Sequence, residues 1–124
     1  MAGSPHTGLK RLLYAISNSV AGLHAAWKSE EAFRQELLLA IVLFPAAFWL
    51  GENTAQIALL LASVSIVLIV ELLNTCVEVV IDRIGHEYHE LSKRAKDIGS
   101  AAVIISLFTL LLVWGLIAYA RFFE

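Results

Sequence analysis

Three carboxylates and an amide stand in a largely apolar run between residues 56 and 83: Glu71, Asn74, Glu78 and Asp82. On a helix turning about 100° per residue, Glu78 and Asp82 fall within about 20° of the bearing of Glu71, with Asn74 about 60° to one side. One helix face therefore turns from lipid-soluble to acidic along its length. Glu71 sits roughly 18 Å along the axis from Arg83, deep enough to lie in hydrocarbon. A carboxylate there costs several kcal/mol unless it is paired, protonated or lining a cavity, so it is a candidate functional group. The competing reading, a structural carboxylate bonded to a neighbouring helix, stays open for Glu71 alone. A stripe of four would be an expensive way to hold helices together.

The spacing also separates roles. Glu71 and Glu78 stand about 10 Å apart along the axis, too far to share one small cation. Mg²⁺ takes oxygens at about 2.0–2.1 Å and usually one or two carboxylates plus substrate phosphates. Glu78, nearer the charged end, is the better metal ligand. Glu71, deeper and drier, is the better base, because a desolvated carboxylate accepts a proton more readily.

A second cluster follows as a loop: Asp82-Arg83-Ile84-Gly85-His86-Glu87-Tyr88-His89-Glu90, then Ser92, Lys93, Arg94, Lys96 and Asp97. Lys96 and Asp97 could address phosphate and metal at a membrane surface, while Lys93 and Arg94 read as ordinary flanking charge. His86 and His89 lie three apart rather than four, which argues against a catalytic zinc. There is no GxxxxGK[ST] loop and none of the soluble protein-kinase elements. Any nucleotide must be held by side chains, metal and helix ends.

These residues need elements to carry them. Of the 124 residues, 59% are hydrophobic and 16% charged, and the mean hydropathy is +0.75. A chain so apolar must place the excess in lipid or against a partner. A net charge of −2 leaves no polyanion-binding arm, so nucleic acid is excluded as a partner. The single cysteine, Cys76, permits no internal disulfide. Residues 1–7 read as a disordered start without the apolar core of a secretory signal.

Over residues 9–28, apolar Leu9, Leu12, Leu13, Ile16, Val20, Leu23 and Trp27 share one helical face, and Lys10, Arg11, Tyr14, Ser17, Asn18, His24 and Lys28 the other. That pattern suits a helix lying in a membrane interface, although an ordinary bundle helix would show it too. Three spans follow, at 32–50, 55–81 and 98–120, the first expected to kink at Pro45. Lys and Arg flank the first span's start and fill the second loop. By the positive-inside rule both are cytoplasmic and the C-terminus lies outside. The expected fold is all-α and integral to the membrane, in a single domain.

Four stretches together resemble the prokaryotic diacylglycerol kinase family: Glu31-Ala32-Phe33-Arg34-Gln35-Glu36, Val70-Glu71-Leu72-Leu73-Asn74-Thr75 with Glu78, Glu87-Tyr88-His89-Glu90, and Arg94-Ala95-Lys96-Asp97-Ile98-Gly99-Ser100-Ala101-Ala102-Val103. The resemblance implies a homotrimer with an N-terminal surface helix and three spans per subunit, its sites built between subunits. It implies ATP-dependent phosphorylation of diacylglycerol to phosphatidic acid, with Mg²⁺ as cofactor, in a bacterial inner membrane. Position by position, it implies Glu71 as base and Glu30 and Glu78 as metal ligands. Arg11, Asn18, Glu30, Glu78, Glu87, Tyr88, His89, Lys96 and Asp97 would contact the nucleotide. Arg11, Trp27, Ala32, Phe33, Arg34, Gln35, Glu36, Trp49, Glu71 and Ser100 would border the lipid, with Asn74 and Asp82 supporting. Of the adjacent acids at 30 and 31, ungapped alignment from both sides selects Glu30. The early helix departs from relatives at Asn18, Val20, Ala21 and His24. A sister activity on undecaprenol uses the same chemistry, and a transporter with Glu71 as its ionisable site is the rival from another class.

Overall fold

The computed structural model describes residues 7–124, so all but the last residue of the expected disordered start lies outside the described residues. Four helices account for nearly all of the rest: α1 (Gly8–Ser29), α2 (Glu31–Leu50), α3 (Thr54–Ile84) and α4 (Glu90–Phe123). No strand occurs among the described residues. The helices α2, α3 and α4 are each long and apolar enough to cross a membrane. At 1.5 Å per residue, the 31 residues of α3 and the 34 of α4 reach about 46 and 51 Å. Both exceed a hydrocarbon core of about 30 Å, so their ends beside the α3–α4 loop project beyond it.

Local signals fix the boundaries. Asn53 caps α3, its Oδ1 accepting from the Gln56 backbone N–H at 2.9 Å, while Gln56 Oε1 accepts from the Glu52 N–H at 2.8 Å. This reciprocal arrangement satisfies backbone donors that no helix carbonyl can reach. Arg34 Nη1 donates to the carbonyls of Trp27 and Lys28 at 2.7 and 3.2 Å, closing the C-terminus of α1. At the opposite end of α2, Arg121 Nη1 donates to the Leu50 carbonyl at 3.4 Å, and its guanidinium lies over the Trp49 ring. Helix α2 continues through Pro45 without a break.

The bundle core lies between α2, α3 and α4 in two consecutive layers. Ala40, Val64, Val67 and Leu110 form one, and Ala47, Leu50, Leu60 and Ile117 the other, with Trp114 packed against both. Alanines at α2 positions 40 and 47 let that helix approach α3 closely. Trp114 Nε1 donates to Ser63 Oγ at 3.1 Å, and Ser63 Oγ donates onward to the Leu60 carbonyl, so the half-buried indole N–H is satisfied. Of α1, only Ala26 is buried, and the side chains of its apolar stripe are exposed.

The loop between α3 and α4 is shorter than the charge pattern implied. Helix α4 starts at Glu90, eight residues ahead of the expected span at Ile98, so Lys93, Arg94, Lys96 and Asp97 are helical rather than loop residues. Hydropathy marks what can sit in lipid, whereas backbone hydrogen bonding marks the helix, and a projecting helix separates the two.

Leu60 is fully enclosed while its neighbour Leu59 is 55% exposed. Leu60→Ala is therefore expected to lose about 2–5 kcal/mol through the cavity it leaves. Thermal unfolding in detergent checks this, with Leu59→Ala expected to match the parent protein.

Candidate functional site

Glu30 is the one residue between α1 and α2 that is not helical, its backbone extended at φ −120° and ψ 108°. That break points its carboxyl at α3, where it lies within hydrogen-bonding reach of the Glu78 carboxyl. Glu31, one residue on, is exposed and faces Gln35 instead. Arg34 is central to this geometry. By holding the last carbonyls of α1 it fixes the elbow, and it is the nearest cation acting on Glu30.

Glu71 lies deeper on the same face of α3 and is only 4% exposed. Glu36, Glu30 and Glu78 are the charged groups within its electrostatic reach. The two ion pairs among the described residues, Lys93–Asp97 and Lys96–Asp82, both lie elsewhere. Thr75 Oγ1 donates to the Glu71 main-chain carbonyl at 3.0 Å, which leaves the Glu71 carboxylate itself free of that hydroxyl. Asn74 Nδ2 donates to Glu78 Oε1 at 3.3 Å. The stripe read from helical periodicity is thus a row of acids, with Glu30 added from another helix.

Two carboxyls this close, backed by an amide, suit a hard cation. A divalent ion would offset their repulsion, and the donor set is oxygen only. No group of three or more metal-binding side chains occurs among the described residues. A cation here would keep open positions for ligand oxygens.

Past Glu78, the projecting ends of α3 and α4 enclose a cavity of about 470 Å³ lined by Asp82, Glu87, Tyr88, His89, Lys96 and Asp97, among others. It holds five of the residues expected at the nucleotide. Lys96 Nζ stands 3.9 Å from Asp82 across the two helices, and Lys93 pairs with Asp97 at 2.7 Å. These pairs are half exposed or more, and so contribute little to stability. His89 caps α4 through Nδ1, which accepts from the Leu91 N–H at 3.0 Å and leaves Nε2 available. His86 and Ser92, which the sequence placed in this cluster without a role, also line the cavity.

Other expected residues are not gathered here. Arg11 and Asn18 lie 19 and 12 residues before Glu30, about 28 and 18 Å along α1. Phe33 is 1% exposed, so its ring packs inside the protein. Trp49 sits at the far end of α2, stacked with Arg121 and Phe122, some 25 Å along α3 from the level of Glu71. Trp27, Ala32, Gln35 and Ser100 are exposed and Glu36 is half-buried. Arg34 is spent on α1, a capping role that sequence spacing hides because it depends on the elbow.

Comparison with known proteins covers almost the whole chain. Residues 17–118 match the family model described as prokaryotic diacylglycerol kinase. A diacylglycerol kinase of Haemophilus influenzae is 51% identical over 109 residues, covering 88% of this chain and 92% of that protein. One from Escherichia coli K12 is 48% identical over 119 residues, covering 94% and 95%. One from Pseudomonas aeruginosa is 47% identical over 120 residues, covering 94% and 98%.

Burial, then the charge of Glu78 and the hydrogen bond to it, hold the Glu30 carboxyl above the ordinary carboxylate range, with Arg34 opposing. The metal-free folded protein keeps this proton where the unfolded chain has lost it. The stability it contributes is full below the ordinary carboxylate range and is lost as pH rises through the raised folded value. Thermal unfolding against pH in detergent is expected to show that decline, and Glu30→Gln to flatten it. An undiminished slope in the variant would place its origin elsewhere.

Proposed function

The chain belongs to the prokaryotic diacylglycerol kinase family, and from that premise we propose that it transfers the γ-phosphate of ATP to the free hydroxyl of a diacylglycerol, giving phosphatidic acid. The observation that carries the reading is the acidic row itself. A buried carboxylate without a cationic partner among the described residues stands on the same face as a close carboxyl pair, beside a polar cavity on projecting helix ends.

In this reading Glu71 accepts the proton of the lipid hydroxyl as that oxygen attacks the γ-phosphorus. The bond from the γ-phosphorus to the bridging oxygen breaks, and ADP leaves. Glu30 and Glu78 would hold Mg²⁺, which would supply neutralisation of the phosphate charge. Lys96, Asp97, Glu87, Tyr88 and His89 surround the nucleotide, and Asp82 orients Lys96. Such chemistry asks the protein mainly for positioning and charge neutralisation. The lipid approaches along α2 past Ala32, Gln35 and Glu36, bordered by Trp27 and Ser100, while Trp49 reaches only its acyl tails.

The distance of Arg11 and Asn18 from Glu30 is accounted for if a neighbouring copy supplies them. A homotrimer with shared sites would do this, and would also cover apolar faces that one thin bundle leaves open. Three apolar helices fit a bacterial membrane protein. The inner membrane suits a substrate drawn from its cytoplasmic leaflet and ATP drawn from the cytoplasm. The N-terminus and the α3–α4 loop then face the cytoplasm and the C-terminus the periplasm, following the distribution of Lys and Arg.

The test is transfer of labelled γ-phosphate to diacylglycerol in mixed micelles, with Mg²⁺ present or chelated and undecaprenol in parallel. Metal-dependent labelling of diacylglycerol is expected, and Glu71→Gln should fall by several orders of magnitude while the protein remains assembled. Labelling of undecaprenol alone would change the substrate. A fully active Glu71→Gln enzyme would end the assignment of the base.

A further inference from the structure

Three helical glycines differ sharply in their surroundings. A Cβ added at Gly22 or Gly115 would meet nothing within 4 Å. A Cβ at Gly99 would run into Asn74 Oδ1, well inside the distance at which real Cβ atoms stop, with Asn74 Cγ only 3.4 Å away. The Asn74 carboxamide therefore rests on the bare Cα of Gly99, across the α3–α4 contact. Its other end, Nδ2, donates to Glu78 Oε1 at 3.3 Å, and Glu78 faces Glu30.

We infer that Gly99 is a positioning residue for the metal-holding pair: its missing side chain seats Asn74 so that the amide donates to Glu78. The inference rests on the reading of Glu30 and Glu78 as that pair. A glutamate carries its carboxyl on two methylene groups and so has several rotamers. A fixed amide donor selects the one in which the remaining lone pairs face Glu30. The Asn74 oxygen cannot serve as that donor, so the carboxamide must lie one way round, and Gly99 makes room for the oxygen on the side away from Glu78. Helix α4 thus shapes the Glu30–Glu78 pair, to which it contributes neither carboxyl.

The obstruction in Gly99→Ala is the end of a side chain, not backbone. The expected response is rotation of Asn74 away from Glu78 with the helices kept in place. In mixed micelles, the Mg²⁺ concentration giving half-maximal phosphate transfer is expected to rise roughly 10–100-fold, as for loss of other outer-shell partners. KM for diacylglycerol should not change, and Gly115→Ala should behave as the parent protein. Asn74→Ala should show a similar rise, and adding Gly99→Ala to it should produce no further change.

Gly99→Ala with the parental Mg²⁺ dependence overturns the inference, as do effects of the two substitutions that multiply. A Gly99→Ala protein that fails to accumulate alone but recovers in the Asn74→Ala background supports the contact, whereas failure in both backgrounds overturns it. A parent protein with no metal-dependent transfer removes the kinase reading and this assignment with it.

Discussion

Two carboxyls held within hydrogen-bonding reach of each other are unstable neighbours, and much of this structure exists to keep Glu30 and Glu78 together. Their repulsion has to be met by a proton or a cation. The break between α1 and α2 delivers Glu30, and Arg34 locks the break by tying down the last turn of α1. On the other side, Asn74 fixes Glu78, and Gly99 gives Asn74 its place. Three helices beyond the one bearing Glu78 therefore converge on a pair of side chains.

That arrangement needs rigid support at some distance. The support is the layered packing of α2, α3 and α4 around Leu60, Val64, Val67 and Trp114, away from the acids. Ser63 makes the core directional by accepting the indole N–H of Trp114, since a buried N–H left unpaired in an apolar setting is costly. Within hydrocarbon, small residues at helix contacts and a few satisfied polar groups replace the hydrophobic driving force available in water. Ala40 and Ala47 provide the first, and Ser63 and Thr75 contribute to the second.

The projection of α3 and α4 beyond the apolar layer has a functional consequence. It carries Lys96, Asp97 and the turn at 85–89 past the apolar segments while tying them to the same helices that hold Glu71. A water-soluble nucleotide and a membrane-soluble lipid could meet at such a boundary, with charge graded along one helix face.

The sequence by itself determined the class and the row of acids. Three apolar runs of spanning length and the 100° repeat of Glu71, Glu78 and Asp82 follow from composition and helical geometry, and both are local properties. The matched motifs identify the family. The partners across helices were decided only by tertiary structure. Nothing in the spacing of residues 27, 28 and 34 reveals that Arg34 caps α1, because the elbow at Glu30 sets their approach. The spacing of Phe33 gives no sign that its ring is buried in the bundle, nor that of Trp49 that Arg121 of another helix lies over its ring. Gly99 shows why the limit is physical: its role is an absence of atoms, and only the position of Asn74 on a different helix gives that absence meaning.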